Sequence, residues 1–112
     1  MMQGVKIVIP IEISVYFENA DTKKFCGVCM VGVVNLPCVP VDGMLFTSLD
    51  EWYELRLTGV QYNLRKRMFT GCIEDTFHED KPDEPGDLDH LIKEWESLEF
   101  VREAEAAEEK TE

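Results

Sequence analysis

The chain has 112 residues, of which 45% are hydrophobic and 30% charged, with 23 Asp and Glu against 11 Lys and Arg. This length and apolar fraction suit one globular domain and exclude a wholly disordered chain. A net charge of −12 argues against direct nucleic-acid binding, which needs Lys and Arg to displace counterions from phosphates, and against binding to anionic membrane surfaces.

The first predicted strand lies within residues 5–17, where every odd position is apolar. This alternation is typical of a strand with one buried face. Pro10 cannot donate a hydrogen bond to a neighbouring strand, so we expect this strand to lie at a sheet edge or to be bulged there. A second strand over Phe25–Leu36 is apolar on both sides, which favours a central strand covered on both faces.

The middle of the chain predicts a short strand at 44–47 and then a hairpin. Apolar positions alternate from Tyr53 to Leu57 and change parity near Gly59, as a β-bulge would produce. Residues 63–67 form the predicted connecting loop, and the second strand of the hairpin covers Met68–Phe77. Ser48 to Glu51 could start one helical turn.

A helix is predicted from Asp87, which is a typical N-cap residue. One helical face then carries five apolar side chains: Leu88, Leu91, Ile92, Trp95 and Leu98. Phe100, Ala104 and Ala107 lie about a third of a turn away at roughly 100° per residue, so the helix either breaks near residues 97–100 or touches a second surface there. We therefore expect an α+β fold, a mainly antiparallel sheet of about four to five strands with one C-terminal amphipathic helix packed on it.

The charge is concentrated at one end of the chain. Residues 1–76 carry nine acids and seven bases, a net −2, whereas residues 77–112 carry fourteen acids and four bases, a net −10. We predict a single domain over residues 1–98, β-rich over 1–77, with an acidic loop over 78–86 and the helix from 87. Residues 99–112 are expected to form an acidic helical extension or a frayed tail.

Two cysteines, Cys26 and Cys29, have the spacing of half a tetrahedral zinc site, with Cys72 and His78 as further candidate ligands. Within a strand, however, positions i and i+3 face opposite sides of the sheet. We expect these cysteines to be small, buried apolar residues, and we expect no cofactor. The alternative is a structural zinc module. No spacing of Cys, Ser and His predicts a catalytic residue.

The expected location is the cytoplasm. The N-terminal residues lack the basic start, apolar run and cleavage site of a signal peptide, and no window has the roughly 20 apolar residues that span a bilayer. Four cysteines in such a chain are expected to be reduced thiols. A membrane partner is not expected.

The function that the sequence favours is a non-catalytic interaction or regulatory module, whose acidic helix binds a basic protein surface. The residues predicted for this contact are Glu94, Glu96, Glu99 and Phe100, with the basic cluster Arg65, Lys66 and Arg67 as a second contact or a solvated hairpin tip. The alternative is a small-molecule-binding domain or small enzyme, with a pocket between sheet and helix. Its candidate lining residues are Trp52, Tyr53, Tyr62 and Trp95. An edge on the first strand and the stripe of Phe100, Ala104 and Ala107 also predict a homodimer.

Overall fold

The computed structural model describes residues 7–47, 54–78 and 87–103, which form one sheet with a helix on one face. The elements in chain order are β1 (Ile9–Asn19), β2 (Phe25–Leu36), β3 (Leu45–Thr47), β4 (Glu54–Asn63), β5 (Met68–Phe77), α1 (Leu88–Glu96) and β6 (Val101–Arg102). The strand order is β3-β4-β5-β1-β2-β6. The predicted α+β class, a sheet with one helix, is confirmed. The sheet has six strands rather than four or five, and its central pair, β1 and β5, is parallel.

The first strand lies in the middle of the sheet, so the prediction of an edge strand is wrong. The alternative of a bulge at Pro10 is also wrong, because the register with β2 is continuous there. β1 pairs with β2 in antiparallel and with β5 in parallel orientation. Pro10 is accommodated because it lies opposite Asn35 of β2, whereas the pairing with β5 begins only at Ile11. The missing N–H of the proline therefore falls before the β5 ladder starts.

The second strand has the predicted bounds but is not covered on both faces. Met30 is fully buried, whereas Val33 on the other side of the strand is 51% exposed. The register of β1 and β2 shifts between Tyr16 and Glu18, and Gly27 lies in this irregular stretch with a φ of +86°. Apolar side chains on both sides of β2 therefore reflect one buried face and one exposed apolar face.

The predicted hairpin and its bulge are confirmed. The register of β4 against β5 shifts between Thr58 and Gln61, so one extra residue is accommodated in β4. Gly59 has a φ of +62°, a conformation that glycine adopts without strain. The predicted helical turn at Ser48 to Glu51 lies outside the described residues, as does all but residue 78 of the acidic loop.

The core lies between α1 and one face of the sheet. β1 contributes its odd positions from 11 to 17 to this core, and α1 contributes Leu91, Ile92 and Trp95. Asp87 occupies the predicted N-cap position with extended backbone, but its side chain makes no capping hydrogen bond. α1, the one helix in the described part of the chain, has nine residues and is too short to cross a bilayer.

The chain beyond α1 returns to the sheet. The helix ends at Glu96, and Glu99 adopts a φ of +70° that redirects the backbone. Phe100 is 2% exposed and packs on Gly32, after which β6 pairs with Met30 and Val31 of β2. The predicted break near residues 97–100 is confirmed, and residues 100–102, beyond the expected domain boundary at 98, are part of the sheet and its core.

The two surfaces predicted for a homodimer are not available as described. β1 has a neighbouring strand on each side, and the side chain of Phe100 is buried in the core of its own chain. Ala104 and Ala107 lie outside the described residues. The homodimer remains a prediction, but the edge strand and the exposed stripe that suggested it are not supported by the structure.

Candidate functional site

The sheet face opposite α1 is called the open face, because no described element packs across it. Strand register places the even positions of β1 on this face, together with the odd positions of β2 that pair with them and the even positions of β5. The residues that define the open face are Glu12, Ser14, Tyr16, Glu18, Phe25, Cys29, Val31, Val33, Thr70, Cys72, Glu74 and Thr76.

Large apolar side chains are exposed on the open face. Tyr16 is 39% exposed, and Phe25 and Val33 are each 51% exposed. The rings of Tyr16 and Phe25 meet edge to face with centroids 6.5 Å apart. Tyr16 and Phe25 contact one another, and Val33 lies farther along β2, opposite Glu12. All three side chains belong to strands, so they are part of a formed surface.

Carboxylates surround this apolar surface. Glu74 is exposed next to Tyr16 in the register of β5 with β1, and Glu18 lies opposite Phe25. Glu103, which follows β6, is close enough to Cys29 to form a hydrogen bond with its thiol. The carboxylate of Glu12 is paired with the Lys66 ammonium at 2.5 Å. The open face therefore combines half-exposed apolar groups with several acidic groups.

The two thiols on the open face are poor nucleophiles. Burial and the neighbouring Glu103 raise the pKa of Cys29 to about 12. Burial and the charge of Glu74 also raise the pKa of Cys72. The pKa of the Tyr16 phenol is raised as well, chiefly by its proximity to Cys29. Because the thiolate is the reactive form, the raised pKa values oppose a nucleophilic role for either cysteine.

The structure does not bring the four predicted zinc ligands together. Cys29 lies opposite Tyr16 and Cys72 opposite Ser14, so the two thiols flank β1 on its two sides. Strands that lie two apart are separated by about 9–10 Å, which also exceeds the span of a disulfide. Cys26 is exposed, and His78 is exposed just after β5. Within residues 7–47, 54–78 and 87–103, no three His, Cys, Asp or Glu residues are grouped to hold a metal ion.

The residues predicted for the acidic-helix contact fall in three different environments. Glu96 and Glu99 are exposed at and just beyond the end of α1. Glu94 lines a cavity beside the helix, and Phe100 is buried. Only two of the four predicted contact residues are therefore presented together to solvent.

The basic cluster forms the tip of the β4–β5 hairpin. Asn63 closes the turn, since its side-chain oxygen accepts a hydrogen bond from the backbone N–H of Lys66 at 2.9 Å. The Lys66 ammonium reaches back to Glu12 on β1. Arg65 and Arg67 are exposed at the tip, beside Leu64, which is 83% exposed. The local acidic partner of this cluster is thus on the sheet.

A cavity of about 130 Å³ lies between the other face of the sheet and α1. Of the four aromatic residues predicted to line such a pocket, Trp95 does so. Tyr62 instead packs against Phe69 with ring centroids 5.2 Å apart, and Trp52 and Tyr53 lie outside the described residues.

Asp75 is a buried carboxylate in the wall of this cavity and was not among the predicted site residues. The residue is 2% exposed; its Oδ2 accepts a hydrogen bond from the Trp95 indole N–H at 3.0 Å, and its Oδ1 accepts one from the Thr76 backbone N–H at 2.9 Å. The signal was present in the alternation of β5, where Asp75 takes a position between the core residues Ile73 and Phe77.

Comparison with known proteins reveals no relative of this chain. No protein-family model matches it, and no curated protein or solved structure matches it significantly.

Proposed function

We propose that the protein is a non-catalytic interaction module, and that its open face binds a protein surface carrying apolar side chains together with Lys and Arg. The observation that carries this proposal is the exposure of Tyr16, Phe25 and Val33 on one formed sheet face. Contiguous apolar groups rimmed by polar residues are typical of protein-binding sites, whereas scattered exposed apolar residues are not.

The composition of the open face supports a protein partner. Aromatic side chains are enriched in protein interfaces because they bury a large area with few rotatable bonds. Tyr16 and Phe25 already restrict one another by their edge-to-face contact. Less side-chain entropy is then lost when a partner covers them.

The charges indicate the chemistry of the partner. Glu18, Glu74 and Glu103 surround the apolar groups, and the whole chain carries a net charge of −12. An acidic field accelerates association with a basic surface and disfavours acidic partners, including a second copy of this chain. Glu96 and Glu99 at the end of α1 add to this long-range field, so we assign them to steering rather than to the contact.

The chemistry of the open face supports a binding role rather than catalysis. Its two cysteines have raised pKa values, which opposes the thiolate that a nucleophile requires. Both thiols are half-buried, so their remaining exposed surface adds to the apolar part of the open face.

The proposal is tested by affinity capture from a lysate of the source cells, followed by quantitative mass spectrometry. The full-length chain is compared with the double variant Phe25→Ser/Val33→Ser, which removes two half-exposed side chains from the open face. The control is Leu64→Ser, which removes a more exposed apolar side chain from the hairpin tip. All three proteins should have the same circular dichroism spectrum.

We expect at least one basic protein to be retained by the wild type and by the Leu64 variant and lost with the double variant. Its capture should weaken with added salt, since screening reduces attraction between exposed charges. Equal recovery with all three baits would contradict the proposal, as would loss with the Leu64 variant alone.

A further inference from the structure

We propose that the cavity between the sheet and α1 binds a single-chain amphiphile, with its unbranched alkyl chain inside the cavity and its polar end at the mouth. This site lies on the opposite side of the sheet from the open face and is independent of the proposed function. The proposal rests on the shape of the cavity, on the apolar side chains that line it and on the exposure of Leu98 at its mouth.

The cavity is narrow and runs across the strands of the sheet. Its lining residues include one apolar side chain from each of five strands, β3, β4, β5, β1 and β2: Phe46, Leu55, Ile73, Ile13 and Val34. These strands are neighbours in the sheet, so the outer two lie about 19 Å apart at the usual strand spacing. The volume of about 130 Å³ is close to the roughly 150 Å³ of a cavity that holds one benzene molecule. Spread across five strands, a volume of this size forms a slot that suits a chain better than a ring.

The walls of the cavity are mainly apolar, and their acidic groups are already paired. The carboxyl oxygens of Asp75 accept hydrogen bonds from the Trp95 indole and the Thr76 backbone. Asp75 and Glu94 each have a further interaction with other groups of the chain, so neither is offered to a ligand. Burial of apolar surface is therefore the main source of affinity in this cavity. Because each buried methylene group adds to that affinity, binding should strengthen with the length of the alkyl chain.

The cavity opens to solvent beside Leu98, which follows α1. This side chain lines the cavity and is nevertheless 43% exposed. A polar group at this mouth keeps its hydrogen bonds with water, so the cost of burying an unpaired polar group is avoided. A molecule with one polar end and one alkyl chain therefore fits the cavity and its mouth together.

The experiment uses the full chain with labelled isoleucine and leucine methyl groups, observed by NMR. The probes are the unbranched alcohols 1-butanol, 1-hexanol and 1-octanol, together with cyclooctanol, which has the same number of carbons as 1-octanol in a ring. The methyl groups of Ile13, Ile73 and Leu55 report on the cavity. Leu64, which is 83% exposed at the hairpin tip, serves as the internal reference.

Two variants obstruct the cavity. Val34→Phe enlarges a side chain of the cavity wall. Its matched control, Val33→Phe, makes the same change one residue earlier in β2, at a half-exposed position on the open face. Leu98→Trp narrows the mouth at a partly exposed position, and it keeps the test valid if the Val34 variant does not fold.

We expect the unbranched alcohols to shift the methyl resonances of the three cavity residues saturably, with a Kd that falls about three- to fourfold for each added methylene group. 1-Octanol should bind several-fold more tightly than cyclooctanol. Val34→Phe and Leu98→Trp should weaken the binding of 1-octanol several-fold, and Val33→Phe should leave it unchanged. No shift at the cavity methyl groups, a Kd that is independent of chain length, equal binding of 1-octanol and cyclooctanol, or equal loss with Val33→Phe would overturn the proposal.

Discussion

Replacing Gly32 with alanine tests whether the chain beyond α1 is a structural part of the sheet. The ring of Phe100 lies directly on Gly32, so an added Cβ would be 2.6 Å from the ring Cε1 and closer still to Cγ and Cδ1. The backbone of Gly32 has no positive φ, and alanine is therefore opposed by the ring alone. Overpacking of this kind costs about 1–3 kcal/mol.

The companion variant Phe100→Ala removes the obstructing ring. This change should cost about 3–5 kcal/mol, the usual range for a buried phenylalanine. In the Phe100→Ala background the extra methyl group at position 32 enters vacated space. Adding Gly32→Ala should then cost close to nothing, which gives a coupling free energy of about 1–3 kcal/mol between the two positions.

The assay is urea denaturation of the wild type, both single variants and the double variant, followed by far-UV circular dichroism. In a thermal melt, each kcal/mol should appear as a shift of about 4–8 °C for a folded unit of this size. A Gly32→Ala penalty that is the same with and without the Phe100 ring would refute the packing of Phe100 on β2.

Three further outcomes follow from the geometry. Because the pKa of Cys29 is raised to about 12, alkylation at pH 8 should modify the exposed Cys26 before Cys29. The rate at Cys29 should keep rising as the pH approaches 12, which mass spectrometry of peptides can measure. A double-mutant cycle with Asp75→Asn and Trp95→Phe, measured by urea denaturation, should give a coupling free energy below about 1.5–3 kcal/mol, the range for a full charged hydrogen bond. The coupling is smaller because the amide oxygen of the introduced asparagine still accepts the hydrogen bond from the Trp95 indole. Gly59→Ala should lower the free energy of unfolding by about 1 kcal/mol, and Gly59→Asn by less, because a φ of +62° disfavours alanine more than asparagine.

The helix and the strands were predicted well because each depends on a pattern among residues that are close in the sequence. The apolar run over Phe25–Leu36 predicted the bounds of β2, and the hairpin pattern predicted those of β5. The parity change at Gly59 predicted a bulge. Strand order depends on contacts between distant parts of the chain. The parallel pairing that places β1 in the centre therefore could not be read from Pro10, which is accommodated just before the β5 ladder begins.

The candidate sites were harder to predict, because a sequence does not show what covers an apolar side chain. Val33 suggested that β2 is covered on both faces, whereas half of this side chain is exposed. Phe100 suggested an outer stripe, whereas the turn at Glu99 directs it into the core. The alternation of β5 places the acidic side chain of Asp75 on the buried face of the strand. Its hydrogen-bond donor Trp95 is identified only from the way α1 packs on the sheet.

The most direct test of the account is the affinity of a captured basic partner for two charge-reversed variants. One variant, Glu18→Lys/Glu74→Lys, reverses acids on the open face, and the other, Glu96→Lys/Glu99→Lys, reverses the same number of acids at the end of α1. Because contact through the open face loses attraction at short range, we predict that the first variant raises the Kd by about tenfold or more at physiological salt. The second should change it by no more than about threefold, as expected for screened steering charges. A larger loss with the Glu96 and Glu99 variant would contradict the assignment and place the contact on the acidic helix.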